Sequence, residues 1–103
     1  MNPARGEVWM VDLGLAAKVR PCLVINIPFR EDERAIFAVV PHTTSLWHTR
    51  FEVPTELRWL AHGAFDAQGI RPVPGTVFMR RLGTIAGDLL LQVETSARLW
   101  LGL

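Results

Sequence analysis

Tyrosine is missing from this 103-residue sequence, cysteine and lysine occur once each, and no uninterrupted apolar run exceeds six residues. The single Cys22 cannot form an internal disulfide or build a cysteine metal site, and in its apolar run, with no basic neighbour beyond Arg20, it does not read as a nucleophile. The longest apolar run, Ala35 to Val40, stops at Pro41 and falls far short of the roughly 20 residues that span a bilayer, which excludes a transmembrane helix. The start, Met1-Asn2-Pro3-Ala4-Arg5, has no charged segment followed by an apolar stretch with a cleavage site, so the expected location is the cytoplasm, with no membrane partner. An excess of either charge is also lacking. Eleven basic against ten acidic residues give +1, so global attraction is no route to nucleic acid.

Several kinds of chemistry drop out in the same way. His42, His48 and His62 lie 6 and 14 apart, which fits neither a helical zinc pair nor a zinc finger, and no metal or other cofactor is expected. Ser45 lacks the Gly-x-Ser-x-Gly elbow of a nucleophile, and no Gly-rich loop opens a helix. There are no repeats and no low-complexity stretches.

What is present is apolar sequence in strand-sized pieces: 50% of residues are apolar, including four Trp and five Phe, which is enough for one core and one domain over residues 1–103. Alternation from Gly6 to Leu13 predicts a first strand. After a connection from Gly14 to Val19, Pro21 to Ile27 predicts a buried strand with Pro21 at its first position. The charged stretch Arg30 to Arg34 reads as a solvated loop. Ala35 to Val40 predicts a third strand, stopped by Pro41, and Arg50 to Val53 a fourth. Thr55 is a fair N-cap for a helical turn through Leu60, with Gly63 ending it. Ala64 to Arg71 reads as one strand, with Pro72, Pro74 and Gly75 as punctuation, and Val77 to Ile85 as helix or strand, with Gly83 favouring strand. Asp88 to Leu101 carries Leu90, Val93, Ala97, Trp100 and Leu101 at helical spacing, a terminal helix whose Asp88 suits the N-terminal dipole. The pattern is antiparallel β followed by one helix.

Ten of the eleven basic residues are arginines, whose planar forks suit phosphate. A phosphate-handling site needs one fixed cation, one or two hydroxyl donors and a group that moves a proton. Arg20 at the start of one central strand and the run His42-Thr43-Thr44-Ser45 at the end of another supply these types, because neighbouring antiparallel strands set a start beside an end. Ordinary turn chemistry after Pro41 and a surface ion pair of Arg20 with Glu7 or Asp12 are the structural alternatives.

The opening Arg5-Gly6-Glu7-Val8-Trp9-Met10-Val11-Asp12-Leu13, the Arg20-Pro21 step, Val40-Pro41-His42-Thr43-Thr44, Arg50-Phe51-Glu52-Val53 and Arg80-Arg81-Leu82-Gly83 before a terminal helix together resemble the MazF/PemK toxins of toxin–antitoxin modules, over about Ala4 to Leu103. The resemblance implies a mainly β fold with α, an SH3-like, MazF/CcdB-type twisted antiparallel β-barrel with a C-terminal helix. It also implies a homodimer that cleaves single-stranded RNA without metal and is neutralised by a cognate antitoxin. Carried over residue by residue, it assigns the catalytic pair to Arg20 and Thr43, and Thr44, Ser45, His42, His48 and Arg71 become candidates for RNA binding, with His42 or His48 as proton carrier. Two features depart from the family. The first loop, Gly14 to Val19, is short, and Gly69 stands where the family has glutamine, with Gln68 one step earlier. Rival readings are a CcdB-like gyrase poison and a non-catalytic SH3-like module or degenerate toxin.

Overall fold

In the computed structural model, which describes residues 2–16 and 18–103, the chain runs β1 (Glu7–Asp12), β2 (Val19–Val24), β3 (Ile36–Thr43), β4 (Glu52–Thr55), β5 (Gly63–Asp66), β6 (Arg71–Pro74), β7 (Phe78–Thr84) and α1 (Gly87–Leu101). Met1, and Ala17 within the Gly14 to Val19 connection, lie outside the described residues. The strands form an antiparallel sheet ordered β4-β5-β3-β2-β1-β7, with β6 also paired to β3. The sheet is twisted like a barrel but not closed, and two register shifts where β1 meets β7 increase its local twist.

Each central strand is buried on both faces. The pleat sends Trp9 and Val11, Cys22 and Val24, Phe37 and Val39 into one core with Val73 and Phe78. It sends Val8, Leu23 and Val40 into a second core with Val53, Phe65, Ile85 and Val93 of α1. Burial on both faces explains why β2 and β3 read as continuous apolar runs rather than as alternation. In the first core, Phe37 stands edge-on to Phe29 and Phe78, with ring centroids 5.3 and 5.0 Å apart. The helix buries Val93, Ser96 and Ala97, and Gly102 closes it in a left-handed conformation at φ 73°. Trp100 and Leu101, expected on its inner face, are exposed. Arg5 ties the amino-terminal arm to this helix by pairing with Glu94 and donating to the Ile25 carbonyl. No helix among the described residues is long and apolar enough to cross a membrane.

Four local expectations change. Pro21 is the third residue of β2 rather than its first, and Pro41 lies inside β3, which continues to Thr43. No helix starts at Thr55. That residue ends β4 and is buried, and residues 57–60 form a turn closed by the Leu60 N–H on the Leu57 carbonyl. Ala64 to Arg71 is two strands, not one, parted by a 3₁₀ turn at Ala67–Gly69 whose Gln68 N–H is capped by the Asp66 carboxylate. Gly83 sits in strand β7, where an added Cβ would come within 2.7 Å of the Trp59 ring.

Candidate active site

The site is built by two prolines. The Ile25 N–H donates to the Ala38 carbonyl at 3.0 Å, and inter-strand hydrogen bonds in an antiparallel ladder alternate, so at the Cys22↔Pro41 pair the Pro41 nitrogen faces away from β2. It faces the gap between β6, whose last pair is Val39↔Arg71, and β5, which joins at His42↔Phe65. No donor is needed there, which is why β3 runs through a proline. Gly69 fills that gap: a Cβ on it would stand 2.6 Å from the Pro41 ring, so the glutamine of the family pattern does not fit here unless the ring moves.

Pro21 has the opposite effect. The Leu13 N–H donates to the Lys18 carbonyl at 2.9 Å, and alternation along β1 and β2 then turns the Pro21 nitrogen toward β3, where it has no hydrogen to give. The β2–β3 ladder ends one residue earlier, at Cys22↔Pro41. Continuing that register by two residues sets Arg20 opposite Thr43, on the same face as Cys22 and Pro41 and at the point where the strands part. Arg71, paired with Val39, belongs to this face as well. The Cys22 thiol registers both guanidinium groups: burial pushes its pKa up to about 12, and Arg71 and Arg20 pull the other way.

Arg20, Arg71, Thr43 and Asp66 line a recess of about 210 Å³ together with Pro41, His42 and Gly69. A second recess of about 260 Å³, lined by Ser45, Trp47, Thr49, Glu52 and Gln68, shares Thr43 and Asp66 with the first. The two form one groove with arginines at one end and an indole at the other. The Thr43 Oγ1 accepts the Ser45 N–H at 3.0 Å and is 3.4 Å from the Ser45 carbonyl, so its own proton is held only weakly.

The rim beyond Thr43 is shaped by Glu52. Its carboxylate accepts the N–H groups of Trp47 at 3.0 and 3.1 Å and of Thr49 at 3.0 Å. These donors, Trp47 first, hold its pKa below 4.5. His48 between them takes a left-handed backbone at φ 58°, unusual for a residue with a Cβ, and Trp47 is left 82% exposed at the groove mouth.

Of the residues singled out from sequence, Arg20, Thr43, Ser45 and Arg71 meet in this groove. Thr44 and His48 are exposed on the adjoining loop and line neither recess. His42 also lines the first recess, but its side chain is buried. Alternation along β3 turns its ring away from Arg20 and Thr43, edge-on to Phe65 at 5.2 Å, and it is only 2% exposed. Its Nε2 bonds the Thr55 Oγ1 at 2.9 Å, and burial lowers its pKa to about 4. At neutral pH its ring is uncharged and lies beneath the recess. Trp59 rests on Gly83, away from the groove. Asp66 and Glu52 are not candidates in the sequence, and Gln68 enters there only as a glutamine one step before Gly69. Asp66 and Gln68 fall where the sequence reads as one strand, and Glu52 looks like an ordinary strand-edge acid. Among the described residues no group of three or more His, Cys, Asp or Glu is placed to hold a metal ion.

A family model described as "PemK-like, MazF-like toxin of type II toxin-antitoxin system" matches residues 4–101. Among solved structures, the chain is similar to an endoribonuclease in complex with its cognate antitoxin from a mycobacterial species, at 24% identity and TM-score 0.83, covering 98% of this chain and 96% of that one. MazF from Deinococcus radiodurans superimposes at 21% identity and TM-score 0.83, covering 100% and 99%. A further mycobacterial endoribonuclease gives 22% identity and TM-score 0.82, covering 100% and 94%. The curated proteins give no match.

Proposed function

We propose that this chain, which belongs to the PemK-like, MazF-like toxin family of type II toxin–antitoxin systems, is an endoribonuclease that cuts single-stranded RNA without a metal, leaving 2′,3′-cyclic phosphate and 5′-hydroxyl ends. The observation that carries this reading is the convergence of two guanidinium groups, Arg20 and Arg71, and the weakly held Thr43 hydroxyl on one recess. A phosphodiester placed there has the fork of Arg20 for the charge that gathers on its non-bridging oxygens as the adjacent 2′-hydroxyl attacks in line. Thr43 donates to the same group, and Arg71 holds the substrate phosphate from the opposite side.

The partners that go with this reading are single-stranded RNA, a cognate antitoxin and a second copy of the chain. The similar mycobacterial endoribonuclease is seen with its cognate antitoxin. For self-association the support is the apolar surface that α1 leaves uncovered at Leu91, Leu99, Trp100 and Leu101.

The test is to incubate purified protein with a long single-stranded RNA in EDTA and determine the chemistry of the fragment ends. Cleavage in chelator with cyclic phosphate ends supports the reading. Cleavage that stops in EDTA and returns with Mg²⁺ or Mn²⁺ overturns the mechanism, and intact RNA under all conditions overturns the activity.

A further inference from the structure

Half of the groove is unused by the phosphate chemistry. The recess beyond Thr43 carries an exposed indole, a carboxylate and an amide: Trp47, Asp66 and Gln68. Three features suit it to a flat ring with polar edges. Trp47 is presented rather than merely left over, because the Glu52 carboxylate fixes the backbone on both sides of it. An indole fixed in that way is a stacking surface that needs little ordering when a base arrives. Glu52 itself is engaged by those backbone donors, so the other carboxylate lining the recess is Asp66.

The Asp66 Oδ1 accepts the Gln68 N–H at 3.1 Å and caps the 3₁₀ turn. That bond holds one carboxylate oxygen at the turn; the other, Oδ2, lies beside Gly69, 3.5 Å from where a Cβ on that residue would stand, and Asp66 lines both recesses. An ionised carboxylate accepts hydrogen bonds and donates none. It is therefore best satisfied by a base that presents an exocyclic amino group, as cytosine, adenine and guanine do, whereas uracil offers it only the N3–H, flanked by two carbonyl oxygens that repel a carboxylate. Asp66 also stands at the junction with the arginine-lined recess, where its negative charge works against the bound phosphate. A residue that weakens overall affinity at that point earns its place through discrimination.

Resting on the RNA reading above, we infer that Asp66 determines specificity: with Trp47 beneath the ring, it selects an amino-bearing base and rejects uracil at one position flanking the cut bond.

The experiment uses the intact protein and two probes. The first is a pool of RNAs randomised over seven consecutive positions, cut and sequenced. The second is a pair of uncleavable 2′-O-methyl oligonucleotides that differ only in uracil against cytosine at the selected position, with binding followed by fluorescence anisotropy. Asp66→Asn is the informative variant because its Oδ1 still accepts the Gln68 N–H. The wild type should disfavour uracil at one position by about tenfold, the order of one well-made base contact. Asp66→Asn should bring that preference to within about twofold at that position alone, and should bind the uracil oligonucleotide more tightly than the wild type does. Trp47→Ala should weaken both oligonucleotides alike. An unchanged uracil preference in Asp66→Asn, or equal relaxation at every position, overturns the assignment while leaving the nuclease reading in place. A protein that neither cuts the pool nor binds either oligonucleotide overturns the nuclease reading and this assignment with it.

Discussion

The Nε2 of His42 lies 2.9 Å from the Oγ1 of Thr55, and that hydroxyl in turn donates to the Gly63 carbonyl at 3.3 Å. With its proton committed to Gly63, the Thr55 oxygen can only accept, which assigns the hydrogen of a neutral imidazole to Nε2. The chain of bonds joins β3, β4 and β5 directly beneath the strand end that carries Thr43.

This burial makes stability depend on pH in a defined window. The folded pKa of His42, about 4, lies below its ordinary value of 6.5, so between these values the unfolded chain binds the proton and the folded chain does not. Stability from this residue is complete above pH 6.5 and is lost as pH falls toward 4, by up to about 3 kcal/mol. Urea midpoints measured from pH 7.5 to 4 should fall more steeply for the wild type than for His42→Gln. Parallel curves would show that the ring is not held neutral.

Arg20 should not be replaceable by another cation. Arg20→Ala is expected to lower turnover by roughly 10²–10³ with the fold intact, in line with the loss of one preorganised donor to a developing charge. Arg20→Lys should recover little of it, since a single ammonium does not reproduce the fork. Single-turnover rates with a defined oligonucleotide, alongside circular dichroism, decide the matter: near-wild-type rates in folded Arg20→Ala would remove the residue from the chemistry.

Much of this arrangement was legible before the structure. The opposition of Arg20 and Thr43 follows from strand order alone, and the helical spacing of Val93 and Ala97 places the face of α1 that is buried. The rest depends on partners distant in sequence. Whether Pro41 breaks a strand depends on what lies along that edge of β3, and only tertiary pairing reveals the gap between β5 and β6. Thr55 has the side chain of a helix cap, but His42, thirteen residues away, takes its hydroxyl instead. The split of Ala64 to Arg71 is invisible to local pattern because Asp66 and Gly69 act through the turn and the Pro41 ring.

The contact between Gly69 and Pro41 predicts a coupled pair. Gly69→Gln restores the residue usual in the family but drives its Cβ into the Pro41 ring, where the separation would be 2.6 Å. Overpacking of this kind costs about 1–3 kcal/mol. Pro41→Ala removes the ring, so the double variant should be more stable than the sum of the two single changes implies. Denaturant midpoints for the four proteins give the coupling directly, and additive losses would mean that the backbone at residue 69 shifts aside freely.

Glu52 should govern the order of the groove rim. Its carboxylate is held below its ordinary pKa of 4.5 chiefly by the Trp47 N–H, so the rim is secured above that value and loosens as the group protonates at lower pH. Glu52→Ala removes the acceptor at every pH. Amide hydrogen exchange at Trp47 and Thr49 should accelerate at least tenfold in that variant, the equivalent of about 1.4 kcal/mol of local opening. Unaltered exchange would show that the loop holds its shape without the carboxylate.

The length of the first connection limits how much sequence the proposed nuclease would read. The six residues between β1 and β2, 13–18, cannot reach far over an RNA strand. The described groove offers an arginine-lined recess for a phosphate and, past Thr43, one recess with an indole. Sequence-specific reading of RNA depends on splayed bases that are stacked and hydrogen-bonded, and a groove with one such place encloses few of them. Trp59, a second possible stacking surface by composition, is occupied against Gly83 and contributes nothing there. The recognition motif should therefore span about three nucleotides or fewer, flanking bases contributing little once the stacked position, worth roughly 1–3 kcal/mol, is filled. Sequencing the 5′ ends of fragments from a long natural RNA measures this. A strict motif of five or more bases would mean that other surfaces, such as those of a second copy of the chain, complete the reading.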